Sequence, residues 1–346
     1  MNFFDLVTSP NIVAYWIEKD LNNPTVGDQL FPFKKELGVE LDWIKGANNQ
    51  VVGLRLSAYD AKAIRRDRQG IEKVKTEMPF FKESMVVDEK MRQQLNTLLQ
   101  TNNEAIIRPI IARIFNDIIK LIKAAYETVE RTRMQMLTTG AITLSSNGQS
   151  YEYDYGMPAQ NKITVNTSWA DANADVIKDI TDTQNLARQN GFKLTRAMCN
   201  SNCLNAIINN TAIKNRLYVL AQGNITITVD EVRKYIEQTT GISIYINDNG
   251  YVAEDGTFTR YFADDVFVLM PDGALGETHY GTTPEESDLM TGATKAEVSL
   301  VENAIAVTTV KEEDPVNVMT KVSMVMLPSF EMANAVYILD TNASSL

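Results

Sequence analysis

The feature that most restricts the fold of this chain is a helical repeat in "NNEAIIRPIIARIFNDIIKLIKAAYETVERTRMQMLTTG", residues 102–140. Its apolar residues recur at spacings of three and four, which places one stripe along roughly ten helical turns. At about 1.5 Å per residue, a helix over residues 103–139 is roughly 50 Å long, well above the mean for globular proteins. Pro109 within it predicts a kink, or a helix start near Arg108.

A helix of this length favours one of two environments, a coiled coil or the face of a sheet. A coiled coil requires strict heptads with a narrow seam. Here apolar residues also occur in adjacent pairs, such as Ile110 with Ile111 and Ile118 with Ile119, and these pairs widen the stripe. The pattern therefore predicts a long helix packed against a sheet.

Before this helix, two extended segments flank a basic one. In "VVGLRLSAYD", residues 51–60, apolar and other residues alternate with the period of a strand, and "EKVKTEMPFFKESMVV", residues 72–87, partly alternates as well. Between them lies "AKAIRRDRQGIEKVK", residues 61–75. Together they predict a long hairpin with a basic tip that projects from the body of the protein, although a short helical turn over residues 61–66 is an alternative.

Charge is distributed unevenly along the chain, whose net charge is −11. Residues 50–82 carry eight basic and four acidic side chains, whereas residues 230–346 carry twenty acidic and six basic ones. An acidic protein repels polyphosphate over its average surface, so binding nucleic acid requires a segregated basic face. The basic segment is such a candidate, but the acidic C-terminal third of the same chain is an alternative partner.

After residue 169 the pattern becomes a mixture of helices and strands. "SNCLNAIINNTAIKNRLYVL", residues 201–220, predicts one helix, and Cys199 and Cys203 are expected on one helical face as reduced structural thiols. Thr228 and Glu231 fit a capping box for a helix that ends at Gly241. This region predicts a compact α/β domain.

Nothing in the sequence indicates catalysis, a cofactor or a metal site. The single histidine, His279, is expected to be an ordinary loop residue, and no phosphate-binding glycine motif is present. Asp264 with Asp265, and the cluster at 312–314, could bind a divalent cation, but solvated carboxylates are the favoured interpretation. The absence of a long apolar run and of a basic leader predicts a cytoplasmic protein that does not associate with membranes.

Three stretches resemble a known family. They are "TVNTSWADANADVIKDI" (164–180), "YFADDVFVLMPDGALGETHYGTTPEE" (261–286) and "DPVNVMTKVSMVMLPSFEMANAVYIL" (314–339). With the order of elements along the chain, they resemble the phage lambda major head protein family (capsid protein E), whose members have the Hong Kong 97 fold. The resemblance at the level of residues is weak in the first hundred positions.

The resemblance implies an α+β capsid fold with five parts. These are an N-terminal arm (1–47), an extended E-loop hairpin (48–87), a peripheral P domain (88–169) with its spine helix (103–139), an α/β axial A domain (170–312), and strands that return to the P domain (313–346).

By the same resemblance, the chain would be a major capsid protein that forms hexamers and pentamers of an icosahedral phage head around double-stranded DNA. It would assemble in the bacterial cytoplasm and have no enzymatic activity. Many relatives carry a long helical scaffolding segment before the arm, and this chain shows none, so we expect a separate scaffolding protein. The other expected partners are a portal protein, packaged DNA through non-specific contacts and, as a further candidate, a decoration protein.

The E-loop is the expected site of contact between subunits, because a projecting hairpin cannot bury its own apolar residues. The expected contact residues are Leu54, Leu56, Lys62, Arg65, Arg66, Arg68, Lys73, Lys75, Phe80 and Phe81. Two alternatives remain open: a nucleic-acid-binding protein that uses the basic loop 61–75, and an encapsulin-like shell that is not viral.

Overall fold

The computed structural model describes residues 7–19, 24–45, 72–87, 89–90, 93, 97, 104–146, 148–217, 227–253, 255–292, 296–313 and 316–343. These residues divide between two compact units. Unit 1 comprises residues 1–42, 75–132 and 277–329, and unit 2 comprises 43–74, 133–276 and 330–346. No helix within the described ranges has both the length and the apolar character that crossing a membrane requires.

The helices that the structure describes are α1 (Ser9–Glu18), α2 (Val26–Leu30), α3 (Glu104–Thr139), α4 (Val176–Gln189), α5 (Ser201–Asn209), α6 (Thr211–Leu217), α7 (Val229–Thr240) and α8 (Pro284–Thr291).

The first nine strands are β1 (Phe33–Lys35), β2 (Glu40–Lys45), β3 (Glu72–Glu77), β4 (Phe80–Val87), β5 (Ala141–Ser146), β6 (Gln149–Asp154), β7 (Lys162–Thr164), β8 (Arg196–Cys199) and β9 (Ser243–Ile246). The remaining strands are β10 (Gly250–Val252), β11 (Phe258–Arg260), β12 (Val266–Met270), β13 (Thr278–Tyr280), β14 (Glu297–Val301), β15 (Ile305–Glu313), β16 (Val316–Pro328) and β17 (Tyr337–Asp340).

The long helix predicted from the apolar repeat is α3, which has 36 residues. It begins before Pro109, so the alternative start near Arg108 was wrong; a proline this close to the N-terminus removes one of the many hydrogen bonds of the helix. The helix ends at Thr139, and the following residue, Gly140, has a φ of +75° and donates its N–H to the carbonyl of Met136 at 2.8 Å. A Cβ at Gly140 would lie 2.9 Å from the Cβ of Met157. Any other residue here would therefore strain the backbone at this positive φ and displace Met157.

Unit 1 is a six-stranded sheet with helices packed on it. β15 pairs antiparallel with β14 on one side and with β16 on the other. The opposite edge of β16 pairs antiparallel with β4 along residues 318–325 and with β13 along residues 326–328. β1 then pairs in parallel with β13. One apolar core joins α1 and α3 to the inner face of this sheet, with Ile114, Ile118, Ile122, Trp16, Val307, Val322 and Met324 among its buried members. The predicted packing of the long helix against a sheet is confirmed.

Unit 2 contains a five-stranded sheet in the order β7-β17-β12-β8-β9. β12 runs antiparallel to both of its neighbours, whereas β7 and β9 pair in parallel at the edges. Trp169 and Phe267 meet edge to face in its core at 5.1 Å, and Trp169 Nε1 donates to Asp179 Oδ2 at 2.9 Å. Two separate two-stranded sheets, β5-β6 and β10-β11, also belong to this unit.

The compact units divide the chain at different positions from the predicted domains. Residues 277–312, expected in the A domain, lie in unit 1, and β17, expected to return to the P domain, pairs with β12 and β7 in unit 2. The five-part division from the sequence therefore remains a prediction about capsid domains.

Two local predictions near residue 200 were wrong. The single predicted helix is two helices, because Asn210 leaves the helical conformation and its Oδ1 accepts the N–H of Ile213 as an N-cap for α6. Cys199 ends β8 and Cys203 lies in α5, so they do not share a helix; both are buried free thiols. A hydrogen bond with Cys203, together with burial, raises the pKa of Cys199.

Candidate inter-subunit surface

The predicted contact residues fall in three groups. Leu54, Leu56, Lys62, Arg65, Arg66 and Arg68 lie outside the described residues. Lys73 lies on β3, where the structure describes the backbone but not this side chain. Lys75, Phe80 and Phe81 are described in full.

Lys75 makes a contact within its own chain. Its Nζ lies 2.6 Å from Glu40 Oε2, and this hydrogen bond raises the pKa of Lys75. Both side chains are exposed, and β2 and β3 form a two-stranded sheet at this point. Exposed ion pairs contribute little to stability, so Lys75 can leave Glu40 and pair with a different carboxylate at little cost.

The two phenylalanines point to opposite faces of β4, as alternation along a strand requires. Phe81 is half-buried and packs against the core of unit 1. Phe80 is 42% exposed, with Lys82 Nζ 5.8 Å from its ring centroid. Val86, on the same face as Phe80, is also exposed. Within the described ranges β4 pairs only with β16, so this strand is an open edge that carries apolar side chains.

The arm strand β1 lies at another edge of the same sheet. Phe33 stacks on Tyr280 at 5.0 Å yet remains half-exposed, and Leu37, just beyond the strand, is 83% exposed. The segment is fixed closely, since a Cβ at Gly281 would lie 2.6 Å from the carbonyl oxygen of Gly38. The backbone is therefore held in place while its apolar side chains remain uncovered.

Polar contacts fix this arm to the rest of unit 1. Lys34 Nζ lies 2.7 Å from Glu277 Oε2, and this hydrogen bond raises the pKa of Lys34. Lys35 Nζ lies 2.7 Å from Glu286 Oε2, whose side chain is almost fully buried. A buried carboxylate without its cation is costly, so Lys35 and Glu286 depend on each other.

His279 is not the loop residue that the sequence predicted. It lies in β13 and is 1% exposed. Its Nδ1 is 3.2 Å from Glu36 Oε1 and its Nε2 is 3.1 Å from Ser329 Oγ. Burial, and secondarily the charge of Lys34, lower its pKa. The sequence signal was weak because β13 has only three residues, and its partners are distant in the chain.

A second, partly buried pair stabilises the outer face of the sheet. Lys321 Nζ of β16 lies 2.5 Å from Glu285 Oε1, and Ser323 Oγ donates to Glu285 Oε2 at 2.8 Å. Burial alone would raise the pKa of Glu285, but the hydrogen bonds from Lys321 and Ser323 outweigh it and hold that pKa below its ordinary value. These contacts anchor α8 over the sheet.

Of the carboxylates considered as cation ligands, Asp264 has partners within the protein. Asp264 accepts hydrogen bonds from Asn200 Nδ2 at 2.6 Å and Arg260 at 3.1 Å. Hydrogen bonds from Asn202, Asn200 and Arg260 lower its pKa. Asp264 is thus engaged within unit 2, and Asp314 of the other cluster lies outside the described residues.

Comparison with known proteins gives a family and a fold. The family model described as phage major capsid protein E matches residues 9–341. No curated protein sequence matches the chain significantly. Two solved structures share its fold over nearly their whole length.

The first is a crystal structure described as a prophage capsid protein from Escherichia coli CFT073. It is 15% identical, with a TM-score of 0.62 over 96% of this chain and 99% of that one. The second is a phage-related protein from Bordetella bronchiseptica RB50, 14% identical, with a TM-score of 0.57 over 98% of this chain and 99% of that one. The predicted Hong Kong 97 capsid fold is confirmed.

Proposed function

The chain belongs to the phage major capsid protein E family, and from this membership we propose that its copies form the hexamers and pentamers of an icosahedral head that encloses double-stranded DNA. As a member it is a structural protein of a phage capsid and part of the virion. The family match over residues 9–341 carries the proposal.

The surface of unit 1 supports assembly on physical grounds. Phe80, Val86 and the arm residues Phe33 and Leu37 remain exposed after the chain has folded. Exposed apolar groups at open strand edges are costly for a monomer and are typical of surfaces that another protein covers. A ring of subunits has head-to-tail interfaces, in which one surface of each copy meets a different surface of the next.

Within this proposal the E-loop contacts a neighbouring subunit through its basic side chains. Each exposed ion pair contributes only about 0.2 to 1 kcal/mol, but charge complementarity fixes register and excludes wrong partners. The further partners that we propose are a scaffolding protein, a portal protein, a decoration protein and non-specifically bound packaged DNA, with assembly in the bacterial cytoplasm.

The test is assembly in the presence of a scaffolding protein, observed by electron microscopy and sedimentation. Wild-type protein should form hexamers, pentamers or closed shells, and reversal of Arg65, Arg66 and Arg68 to Glu should block assembly while the subunit stays folded. A charge-matched control reverses three exposed basic residues of unit 2, Arg188, Lys193 and Arg216, and should still assemble.

Two outcomes would contradict the proposal. Wild-type protein that stays monomeric with its scaffolding partner present would overturn the capsid assignment. Tight, salt-steep DNA binding by the isolated chain, abolished by the three reversals, would favour the nucleic-acid alternative instead. Normal assembly of the triple variant would remove only the electrostatic role of the E-loop.

A further inference from the structure

The hairpin β5-β6 follows the long helix directly and forms a sheet of only two strands. Ile142 pairs with Tyr153, Thr143 with Glu152, and Leu144 with Tyr151. Among the described residues no third strand joins it. Isolated two-stranded hairpins are at best marginally stable in water, so this element needs a covering surface.

One face of the hairpin is apolar and aromatic. Its base, Ile142, is fully buried by the chain itself, but Tyr151 further out is 44% exposed. The rings of Tyr151 and Tyr153 stack at 6.4 Å, with an interplanar angle of 7°. Tyrosine offers a large contact area at low entropic cost and also stacks on guanidinium groups. The exposed outer half of this face is therefore suited to bind a protein rich in arginine.

The other face is acidic. Glu152 and Asp154 are exposed on it, and no lysine or arginine occurs between residues 141 and 161. Phosphate groups would be repelled by such a surface, so it is unsuited to contact with packaged DNA. Charge complementarity instead favours a basic polypeptide.

The chain itself contains a matching segment. Residues 55–75 carry seven basic side chains against three acidic ones, and four of the seven are arginines. Arginine pairs with carboxylates through two parallel hydrogen bonds and stacks on aromatic rings, and the hairpin offers both kinds of partner. In a shell every subunit would meet this segment at high local concentration.

We propose that hairpin β5-β6 is the receptor for the basic segment 55–75 of a second copy of this chain. Carboxylates of the acidic face pair with some of its arginines and lysines, and the exposed tyrosine face stacks on others. The inference rests on the proposed function, because only an assembly supplies the second copy. It names the receiving surface, which the capsid assignment leaves open.

The experiment uses two charge reversals in the full-length chain, Glu152→Arg and Arg66→Glu. Each alone places like charges opposite each other at every repeated contact, and we expect assembly to slow by about tenfold or more. The double variant restores complementarity and should recover. Ser150→Glu, which adds negative charge to the acidic face, is the sign control and should assemble at least as fast as wild type.

Co-expression of the two single variants tests whether the contact joins different copies. In a ring in which the two variants alternate, the hairpin of each Glu152→Arg subunit meets the segment of an Arg66→Glu subunit. Every other contact joins a native hairpin to a native segment. Recovery of assembly in the mixture supports the proposal. Recovery in the double variant but not in the mixture would place the contact within one chain and overturn it.

The remaining outcomes separate this inference from the capsid assignment. Shells formed by wild type and, unimpaired, by Glu152→Arg would overturn the hairpin contact alone. Failure of wild type to assemble would overturn the proposed function and this inference together. Thermal unfolding of each variant must match that of wild type, and Tyr151→Ser, which removes no charge, provides a second variant that should also slow assembly.

Discussion

Unit 1 and unit 2 come from one chain but are stabilised in different ways. Unit 1 combines three segments that are far apart in sequence, and β16 alone pairs with β4, β13 and β15. Most of unit 2 is one continuous stretch, residues 133–276. Since long-range pairing requires loops to be closed first, unit 1 should depend more on specific contacts that fix its segments in place.

The buried polar groups of the two units differ in kind. In unit 1 the carboxylates of Glu130 and Glu286 are buried and engaged, and His279 is buried between partners from other segments. In unit 2 amide side chains recur, such as Asn161 and Asn210, which donate to backbone carbonyls. We therefore expect unit 1 to respond to changes of charge and unit 2 to changes of packing.

The largest effect should come from breaking the long helix. Ile118→Pro removes a hydrogen bond in the middle of α3, at a cost of about 3 kcal/mol or more, and also replaces a side chain that is 1% exposed. We expect loss of folded subunits, measured by circular dichroism and solubility.

Ile118→Val is the matched control, since it should cost only about 0.5 to 1.5 kcal/mol. The native Pro109 shows that proline is accepted in the second turn of this helix. Soluble, normally helical protein from Ile118→Pro would contradict the assignment of α3 as the backbone of unit 1.

Removing a core ring from unit 2 should have the next largest effect. Phe267→Ala leaves a cavity beside Trp169 and should lower the free energy of unfolding by about 3 to 5 kcal/mol. Phe258→Ala, on the exposed β11, should change it by less than about 0.5 kcal/mol. Denaturant unfolding measures both variants. A loss of stability in Phe267→Ala that varied strongly with pH would contradict the expectation that unit 2 responds to packing rather than to charge.

A smaller effect is expected at the anchor of α2 in unit 1. Glu130 Oε2 accepts from Thr25 Oγ1 at 2.6 Å, and Oε1 accepts from the N–H of Gly27 at 3.2 Å. Glu130→Ala leaves these buried donors without this acceptor and should cost about 1 to 3 kcal/mol by denaturant unfolding. Glu130→Gln retains an acceptor oxygen and should lose less; equal losses would show that the hydrogen bonds do not carry the effect.

Elements specified by neighbouring residues could be predicted from the sequence. The period of α3 is contained in its own 36 residues, and the capping box of α7, with Thr228, Glu231 and Gly241, is confirmed with Gly241 at a φ of +72°. These signals are local, because capping bonds and apolar stripes join residues within one or two turns. The same local reasoning failed at Asn210, where a polar residue inside a helical pattern proved to be a cap.

Contacts between distant segments could not be predicted. The pairing of Phe80 with Val325 and of Val87 with Val318 joins strands more than two hundred residues apart, and alternation alone does not identify a strand's partner. For the same reason the sequence showed no partners for Lys35 or His279. Of the predicted contact residues, Phe80 is exposed and Phe81 packs on the core of unit 1; their role in contact between subunits stays a prediction.

The smallest effect that we expect is a pH dependence confined to unit 1. His279 is the only histidine in the chain, so its imidazole is the side chain whose ordinary pKa lies just below neutral pH. Glu36 and Glu277 face the ring at 3.2 and 3.6 Å and favour its protonation, but burial and the charge of Lys34 outweigh them and lower its pKa below 6.5.

The lowered pKa fixes the sign of the effect. Below pH 6.5 the unfolded chain binds a proton at this site more readily than the folded chain, so the stability of unit 1 is complete above that pH and declines as the pH falls through it. Amide hydrogen exchange, corrected for intrinsic rates, should show β1 and β13 losing protection as the pH falls below 6.5 while β8 and β12 keep theirs. In His279→Gln this difference between the units should vanish. Equal losses in both units, or a glutamine variant that keeps the pH dependence, would mean that charge does not distinguish unit 1 from unit 2.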